Sequence, residues 1–304
     1  MQEEDKKNRL EDCVLCPREC HVNRAAGERG FCGMTDKMKI ARADLHMWEE
    51  PCISGEKGSG TVFFTGCSLQ CVFCQNHVIA CDRIGWEVTV EELVEIFFQL
   101  KEKGAANINL VTPGHFAEPV ARALKAARNS GLSLPVICNT SGYEKVETLR
   151  LWDGLIDVYL PDFKYMDREL AGTYSHAKAY PDIAKRALGE MVRQTGECVF
   201  DEDGYIKKGV IVRHLILPGH TKDSKDVIRY LFETYGNKIF ISVMNQYTPM
   251  EWVKEYPELN RKVTRREYQK VVDFALEIGV ENGFIQEGET ASESFIPPFS
   301  GKES

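Results

Sequence analysis

The sequence predicts an α/β fold: an open or partial (β/α)6 barrel preceded by a small Cys-rich extension. From residue 61 onward, short apolar runs alternate with longer amphipathic stretches, a texture typical of strand–helix units on a parallel sheet. Residues 1–60 instead carry Cys, Gly, Arg and Pro in short irregular runs. After that start, the 304-residue chain has too few periods left for a complete eight-unit barrel. We therefore predict two domains, a metal-binding extension over 1–60 and the barrel over 61–304.

Six apolar runs are the strand candidates of the predicted barrel. They cover residues 61–65, 107–111, 134–138, 157–160, 210–217 and 238–244. Because functional side chains of such barrels lie at the carboxyl ends of the strands, the residues that follow these runs are the first candidates for a site.

Amphipathic stretches between the strand candidates predict the helices. Thr89 with Glu92, and Thr264 with Glu267, have the spacing of a capping box, so a helix is expected to begin at each threonine. Four further helices are predicted over 118–129, 145–151, 181–193 and 224–235, each too polar on one side to be fully buried.

Composition excludes several classes of protein. Lys and Arg number 38 against 46 Asp and Glu, and no basic stripe with aromatics is present, so a nucleic-acid partner is not expected. No apolar run is long enough to cross a bilayer, which argues against a membrane protein. The hydrophilic start MQEEDKKNRLED lacks the apolar core of a signal peptide, so we expect a cytoplasmic protein.

Cysteines point to metal or redox chemistry, because disulfides rarely persist in a reducing compartment. The eleven cysteines include two tight groups: Cys13, Cys16, Cys20 and Cys32, and then Cys67, Cys71 and Cys74. The remaining four are interpreted as small buried hydrophobic residues or as cysteines without a role in either group. They are Cys52, Cys81, Cys138 and Cys198.

The second group lies in a loop directly after the first predicted strand. Spacings of three and then two residues between its thiols suit three corners of a 4Fe-4S cluster. Three protein ligands leave one iron open, and an open metal position is typical of a site that binds substrate. Structural zinc is the alternative, with His77 or Cys81 as the fourth ligand. The position of the loop at a strand end favours the cluster.

This loop resembles the signature of radical S-adenosylmethionine (SAM) enzymes, Cys-x3-Cys-x2-Cys with an aromatic residue, here Phe73, before the last Cys. Within that superfamily the chain is similar to the activating enzymes of glycyl-radical enzymes such as pyruvate formate-lyase. The similarity is densest in FFTGCSLQCVFCQN, EVTVEEL, NTSGY, DFKYMD and VRHLILPG. Uncharacterised homologues of those enzymes with a four-cysteine extension also resemble LCPREC, GFCG, EEPCISGEKGSG and NLVTPGHF.

The resemblance implies a radical SAM type of partial barrel and a defined chemistry. SAM would bind the open iron through its amino and carboxylate groups. One electron from the reduced cluster, supplied by a flavodoxin- or ferredoxin-type donor, would cleave SAM, and a 5′-deoxyadenosyl radical would take hydrogen from a protein, peptide or small-molecule substrate. The cofactors carry this chemistry, so no side chain is assigned as catalytic.

The resemblance also implies contacts to SAM at the turn after the second predicted strand. Relatives have Gly-Gly-Glu, which receives the methionine amino group, where this chain has Thr112, Pro113 and Gly114. No carboxylate is available in this turn, but the Thr112 hydroxyl and backbone carbonyls can accept from an ammonium group. His115 follows directly, either as a ligand or as a polar residue at a helix start.

The next two strand ends supply further implied contacts. Asn139 and Ser141 match an Asp-Thr-Asn-Gly block of the activating enzymes and are candidates to meet the methionine carboxylate and the ribose. Asp162 and Lys164 match an Asp-x-Lys block, which offers a carboxylate and an ammonium. The alternative for this pair is an exposed ion pair in a turn, but its place at a strand end favours a ligand role.

The last two predicted strands are implied to hold the adenosyl group. Arg213 would point into the barrel and Leu215 would touch adenine. Arg213 lies in the apolar run VIVRHLILP. Its guanidinium needs a carboxylate partner there, because burying an unpaired charge costs free energy. Met244 and Tyr247 match a block that packs on adenine, with Tyr247 in place of a histidine of relatives.

The four amino-terminal cysteines predict a second metal site, because their surroundings have too few apolar residues to fold without one. Zinc in a four-thiolate cage and a second Fe-S cluster both suit the spacing, with zinc slightly favoured. Unligated thiols are the remaining alternative.

Departures from the activating enzymes leave the target open. Those enzymes carry Asp-Gly-Pro-Gly-x-Arg before the first strand, whereas this chain has Gly58, Ser59, Gly60 and Thr61. Glycyl-radical activation is therefore one hypothesis, and radical modification of a small molecule or peptide is the second. A non-catalytic Fe-S or electron-transfer module is the alternative from another class.

Overall fold

Seven parallel strands form most of one curved sheet in the computed structural model, which describes residues 9–285. The strands are β1 (Met38–His46), β2 (Ser59–Phe64), β3 (Trp86–Val88), β4 (Ile108–Val111), β5 (Val136–Thr140), β6 (Val158–Pro161), β7 (Val199–Phe200), β8 (Ile206–Leu215), β9 (Phe240–Met244) and β10 (Gly283–Ile285). The helices are α1 (Pro51–Ser54), α2 (His77–Ala80), α3 (Val90–Glu102), α4 (Ala117–Asn129), α5 (Val146–Leu149), α6 (Arg168–Ser175), α7 (Tyr180–Thr195), α8 (Thr221–Tyr235) and α9 (Arg265–Glu277).

The parallel strands confirm the predicted partial barrel. Their order is β10-β9-β8-β6-β5-β4-β2, and the six predicted strands correspond to β2, β4, β5, β6, β8 and β9. Strand β10 adds a seventh parallel strand beside β9. The first part of the predicted extension, residues 1–8, and the last part of the predicted barrel domain, residues 286–304, lie outside the described residues.

Two strands that the sequence analysis did not identify extend the sheet at its other edge. Strand β1 pairs antiparallel with β2, from Ile40 opposite Phe64 to His46 opposite Ser59, and β3 pairs antiparallel with β1. The exposure pattern of β1 does not alternate, so its sequence lacks the period that identifies a strand. Part of the predicted extension therefore belongs to the same sheet as the barrel strands, and the division at residue 60 stays a prediction.

The connection from β1 to β2 fills the amino-terminal end of the barrel interior. Cys52 and Ile53 of α1 are buried in one cluster with Ile137, Leu160 and Ile211, which lie on three parallel strands. Polar groups fix this segment as well, because the Asn107 amide donates to the carbonyl of Ile53 at 2.8 Å. The residues just before α1 are thereby held inside the barrel.

Both predicted capping boxes are present. The Thr89 hydroxyl accepts from the Glu92 amide and the Glu92 carboxylate accepts from the Thr89 amide, and Thr264 and Glu267 repeat this arrangement at α9. The other four predicted helices correspond to α4, α5, α7 and α8. Helix α6, which begins after Asp167, was missed. Among residues 9–285, no helix combines the length and apolar character needed to cross a membrane.

Replacement of Thr89 by alanine tests the cap of α3. Removing the hydroxyl leaves an amide of the first turn without its partner, so we expect a loss of about 1 kcal/mol in the free energy of unfolding. Urea denaturation followed by circular dichroism measures it. The exposed Thr234 of α8 is the control, and its alanine variant should stay within about 0.5 kcal/mol of the parent. Equal losses in the two variants would contradict a capping role.

Candidate functional site

A cavity opens at the carboxyl ends of the parallel strands. Of the residues predicted to bind cofactor or metal, those that line it are Cys67, Cys71, Cys74, Thr112, Asn139, Ser141, Asp162, Lys164, Arg213, Leu215 and Met244. These residues come from the ends of six different strands or the loops that follow them, so the parallel arrangement alone brings them together.

The loop after β2 presents three thiols to this cavity. Cys71 is buried, and the Ser175 hydroxyl donates to its sulfur at 2.9 Å. The Leu69 amide donates to Cys67 Sγ at 3.3 Å. Burial raises the pKa of Cys71, while the nearby Lys164 ammonium opposes that rise. Donors and a cation around the sulfurs suit thiolates that bind iron.

The surroundings of the three thiols fit a cluster ligated by one loop. His77, a candidate fourth ligand for zinc, stacks on the Trp252 ring with a 4.5 Å centroid separation. Cys81, the other candidate, is half-buried. As placed in residues 9–285, no three His, Cys, Asp or Glu side chains surround a point at the spacing of ligands to a single ion. Cys67, Cys71 and Cys74 of one loop all line the cavity, and three thiols match the protein ligands of a cluster with one open iron.

Arg213 joins the polar side chains on the inner face of the barrel. It donates to Asp162 Oδ1 at 3.1 Å, to Glu49 Oε2 at 3.2 Å and to Asn139 Oδ1 at 2.7 Å. Lys164 Nζ donates to the other oxygen of Asp162 at 2.6 Å. Burial alone would raise the pKa of Asp162, but the two cations outweigh it and hold that pKa below its ordinary value.

Glu49 is a cavity residue that the sequence analysis missed. It precedes α1, only 7% of its side chain is exposed, and its Oε1 accepts from Asn109 Nδ2 at 3.1 Å. Burial raises the pKa of Glu49, and the Arg213 guanidinium opposes that shift. No local signal marks it, because its place in the cavity depends on the path of the segment between β1 and β2. Trp48 also lines the cavity and is 62% exposed at its rim.

Thr112 occupies a backbone conformation that β-branched residues avoid. Its φ is 57°, in the left-handed region, and its amide donates to the Asn139 carbonyl at 2.8 Å. Strain of this kind persists where neighbouring structure enforces it and is frequent at functional sites. The turn predicted to meet an amino group is therefore fixed in shape by the adjoining strand end.

Gly114, His115 and Tyr247 are not among the residues that line the cavity. His115 is buried, its Nε2 lies 2.7 Å from the Thr65 carbonyl, and burial lowers its pKa to about 3. The Tyr247 hydroxyl donates to the Leu259 carbonyl at 2.7 Å, and its ring lies 6.3 Å from that of Phe73. In this arrangement His115 and Tyr247 support residues of the wall.

Glu144 is a second acidic residue that the sequence analysis did not single out. It is 8% exposed, its carboxylate accepts from the Thr140 hydroxyl, and its Oε2 has no hydrogen-bond partner. Its Oε1 lies 3.7 Å from where a side chain on Gly114 would begin. Burial raises the pKa of Glu144 to about 7. The Glu144 carboxyl group therefore lies next to the turn formed by Thr112, Pro113 and Gly114, which contains no carboxylate.

The sequence that forms most of the barrel is similar to known proteins. A model of the radical SAM superfamily matches residues 61–254. An uncharacterized protein of Methanocaldococcus jannaschii is 32% identical over 279 residues, which cover 88% of this chain and 75% of that protein.

The chain belongs to the radical SAM superfamily. Two solved structures share the fold at low sequence identity. SuiB of Streptococcus suis, bound to its precursor peptide SuiA, gives a TM-score of 0.50 at 14% identity over 74% of this chain and 47% of SuiB. HydG, a maturase of the FeFe-hydrogenase, gives a TM-score of 0.51 at 15% identity over 77% of this chain and 53% of HydG. The chain thus spans about half the length of these two structural neighbours.

The four amino-terminal thiols lie near one another, beside the loop that carries the radical SAM signature. Cys13 and Cys32 are buried, and Cys16 and Cys20 are half-buried. Burial, together with the charges of the other three thiolates, raises the pKa of Cys16 to about 12. Elsewhere in the chain Cys52 and Cys138 are buried, whereas Cys81 and Cys198 are partly exposed.

The burial of Glu144 predicts a pH-dependent stability. Its native pKa of about 7 lies above the ordinary value of 4.5, so the native state binds more protons than the unfolded state between these values and stability falls as pH rises. Glu144→Gln removes this loss, so the stability of the variant relative to the parent should increase by roughly 3 kcal/mol between pH 4.5 and 8.

Urea unfolding at several pH values checks the Glu144 prediction. The control is Glu147→Gln, since Glu147 is exposed on the next helix. A stability difference between Glu144→Gln and the parent that does not vary with pH would contradict a raised pKa at this position.

Proposed function

We propose that this radical SAM protein is an enzyme that cleaves SAM reductively and abstracts hydrogen from a substrate held in the cavity. When bound, a 4Fe-4S cluster supplies the electron and SAM supplies the 5′-deoxyadenosyl radical. The observation that carries the proposal is that Cys67, Cys71 and Cys74 line one cavity with the linked charges of Asp162, Lys164 and Arg213.

The charged residues suggest how SAM is oriented. Burial lowers the pKa of the Lys164 ammonium, but Asp162 outweighs that effect and raises the pKa, with smaller contributions from the charges of the nearby Cys71 and Cys74 thiolates. A carboxylate bound by Lys164 would therefore lie beside the cluster. We assign Lys164 and Asn139 to the methionine carboxylate, and the Thr112 turn to the amino group.

The remaining wall residues suit the nucleoside part of SAM. Ser141 and Asp162 offer acceptors to ribose hydroxyls, while Leu215 and Met244 offer apolar contact to adenine. We assign Gly114, His115 and Tyr247 to the support of this wall. Apolar neighbours such as Phe63 and Val111 restrict water near the place where the radical would form.

The target of the radical is the finer part of the proposal. A glycyl-radical enzyme is the protein partner that the sequence resemblance favours. A small molecule or peptide is the second candidate, because this chain has Gly58, Ser59, Gly60 and Thr61 where the activating enzymes carry Asp-Gly-Pro-Gly-x-Arg. We further propose a flavodoxin- or ferredoxin-type electron donor, and zinc or a second Fe-S cluster at the amino-terminal thiols.

Anaerobic assay of the reconstituted protein tests the reaction. With SAM and dithionite, the parent should form 5′-deoxyadenosine, whereas the variant with Cys67, Cys71 and Cys74 changed to alanine should lose that product and the iron of this site. Cys198→Ala, at a partly exposed thiol away from both groups, is the control and should keep both. Zinc and iron analysis of the triple variant then identifies the metal at the amino-terminal thiols. A parent with a reducible cluster that never cleaves SAM would instead indicate an electron-transfer module.

Electron paramagnetic resonance (EPR) distinguishes the two classes of target. A stable glycyl-radical signal on a second protein, dependent on SAM, supports activation. A modified metabolite or peptide without a protein radical supports the second candidate.

Replacement of Lys164 by methionine tests the assigned carboxylate contact. Loss of a hydrogen bond between charged groups costs about 1.5–3 kcal/mol, so the Kd for SAM should rise roughly 10- to 100-fold. Calorimetry on protein with full cluster content measures the affinity. Lys178→Met is the matched control, because Lys178 is exposed and paired with Glu169. An unchanged Kd in Lys164→Met would remove Lys164 from the SAM site.

A further inference from the structure

We propose that Arg18 is a positioning residue through which the four-thiol segment sets the environment of Cys71. The inference rests on the proposed function, since it takes Cys67, Cys71 and Cys74 as cluster ligands. The four-thiol segment comprises residues 13–32, and the cluster loop, which carries Cys67, Cys71 and Cys74, comprises residues 65–76. Arg18 lies between Cys16 and Cys20 in the four-thiol segment, and its guanidinium contacts the cluster loop.

Arg18 donates to three backbone carbonyls outside its own segment. Its Nε bonds to Ser68 at 2.8 Å, its Nη2 bonds to Ser175 at 3.1 Å, and its Nη1 bonds to His176. Ser68 lies between Cys67 and Cys71, and Ser175 ends α6. One planar fork thus holds the cluster loop and the end of a helix in a fixed relation, which a single ammonium cannot do in the same way.

Ser175 extends this link to a cluster ligand. Its hydroxyl, which is buried, donates to Cys71 Sγ at 2.9 Å. Hydrogen bonds to cluster sulfurs raise a reduction potential, because they stabilise the extra negative charge of the reduced state. By fixing the backbone of Ser175, Arg18 keeps this donor on the sulfur.

The four-thiol segment in turn fixes Arg18. The guanidinium stacks on the Phe31 ring at 3.9 Å from its centroid, and Phe31 precedes Cys32. Gln70 of the cluster loop donates back to the Phe31 carbonyl. A metal held by Cys16, Cys20 and Cys32 would fix the residues on both sides of this stack. Binding or loss of that metal would therefore change how firmly Arg18 holds the cluster loop.

The four-thiol segment and the cluster loop are in close contact. Gly66 has a φ of 87°, and a side chain there would begin only 2.8 Å from the Cys32 carbonyl oxygen. Arg24 adds a second buried link, donating to the His115 carbonyl at 2.7 Å and to Cys13 Sγ at 3.8 Å. Because the two segments are closely packed, a shift of the four-thiol segment should also move the cluster loop.

Redox titration of the reconstituted protein, followed by EPR, tests the inference. Arg18→Gln and Arg18→Lys should both lower the midpoint potential of the cluster on the three-thiol loop, because neither side chain reproduces the fork that fixes Ser175. Ser175→Ala should shift the potential in the same direction, and adding Arg18→Gln to it should produce little further shift. Changing Cys16 and Cys20 together to serine should also lower the potential. Arg29→Gln, at an exposed arginine of the same segment, should leave it unchanged.

Each outcome decides the inference. Parental potentials in both Arg18 variants would overturn it, and a shift in Arg18→Gln that Arg18→Lys abolishes would show an effect of charge alone. Loss of iron from the three-thiol loop with retained circular dichroism would support it, provided that Arg29→Gln keeps its iron. If an Arg18 variant does not fold, Ser175→Ala together with the double serine variant decides. A parent protein without any reducible cluster would refute the proposed function itself.

Discussion

The guanidinium of Arg213, whose side chain is only 15% exposed, is the constraint on which the cavity depends. An Arg on the inner face of a barrel strand must be neutralised there, because the cost of burying a lone charge exceeds what nearby apolar packing could offset. Asp162 from the neighbouring strand end and Glu49 from the β1–β2 connection supply the charges, and Asn139 supplies a further acceptor. One side chain therefore fixes three others that face the cavity, and it draws the segment before α1 into the barrel.

The cluster loop is constrained from the opposite side by the amino-terminal thiol segment. Arg18 donates to backbone carbonyls of the cluster loop and of α6, and Arg24 donates to the Thr35 and His115 carbonyls, so both act as structural cross-links. The cavity thus lies between a barrel wall organised by partly buried ion pairs and a loop supported by the four-thiol segment. This arrangement explains how a loop without regular structure can present three thiols in a defined way.

Much of the fold followed from local patterns. The six barrel strands and the capping boxes of Thr89 and Thr264 were predictable because each depends on residues adjacent in the chain. Strand β1 was missed because its pairing with β2, and not an alternating pattern, makes it a strand. Of the implied cofactor residues most line the cavity, since parallel strands end at one edge, but His115 turns its ring toward the Thr65 carbonyl.

The two cysteine groups and the polar residues at the strand ends can be recognised in the amino-acid sequence, because both are properties of short stretches of chain. The entry of Glu49 into the cavity, the position of Glu144 next to Gly114, and the contacts of Arg18 with Ser68 and Ser175 depend on how the whole chain folds. These contacts join residues far apart in sequence, and they form because buried charges and backbone carbonyls must find partners wherever the folded chain brings them.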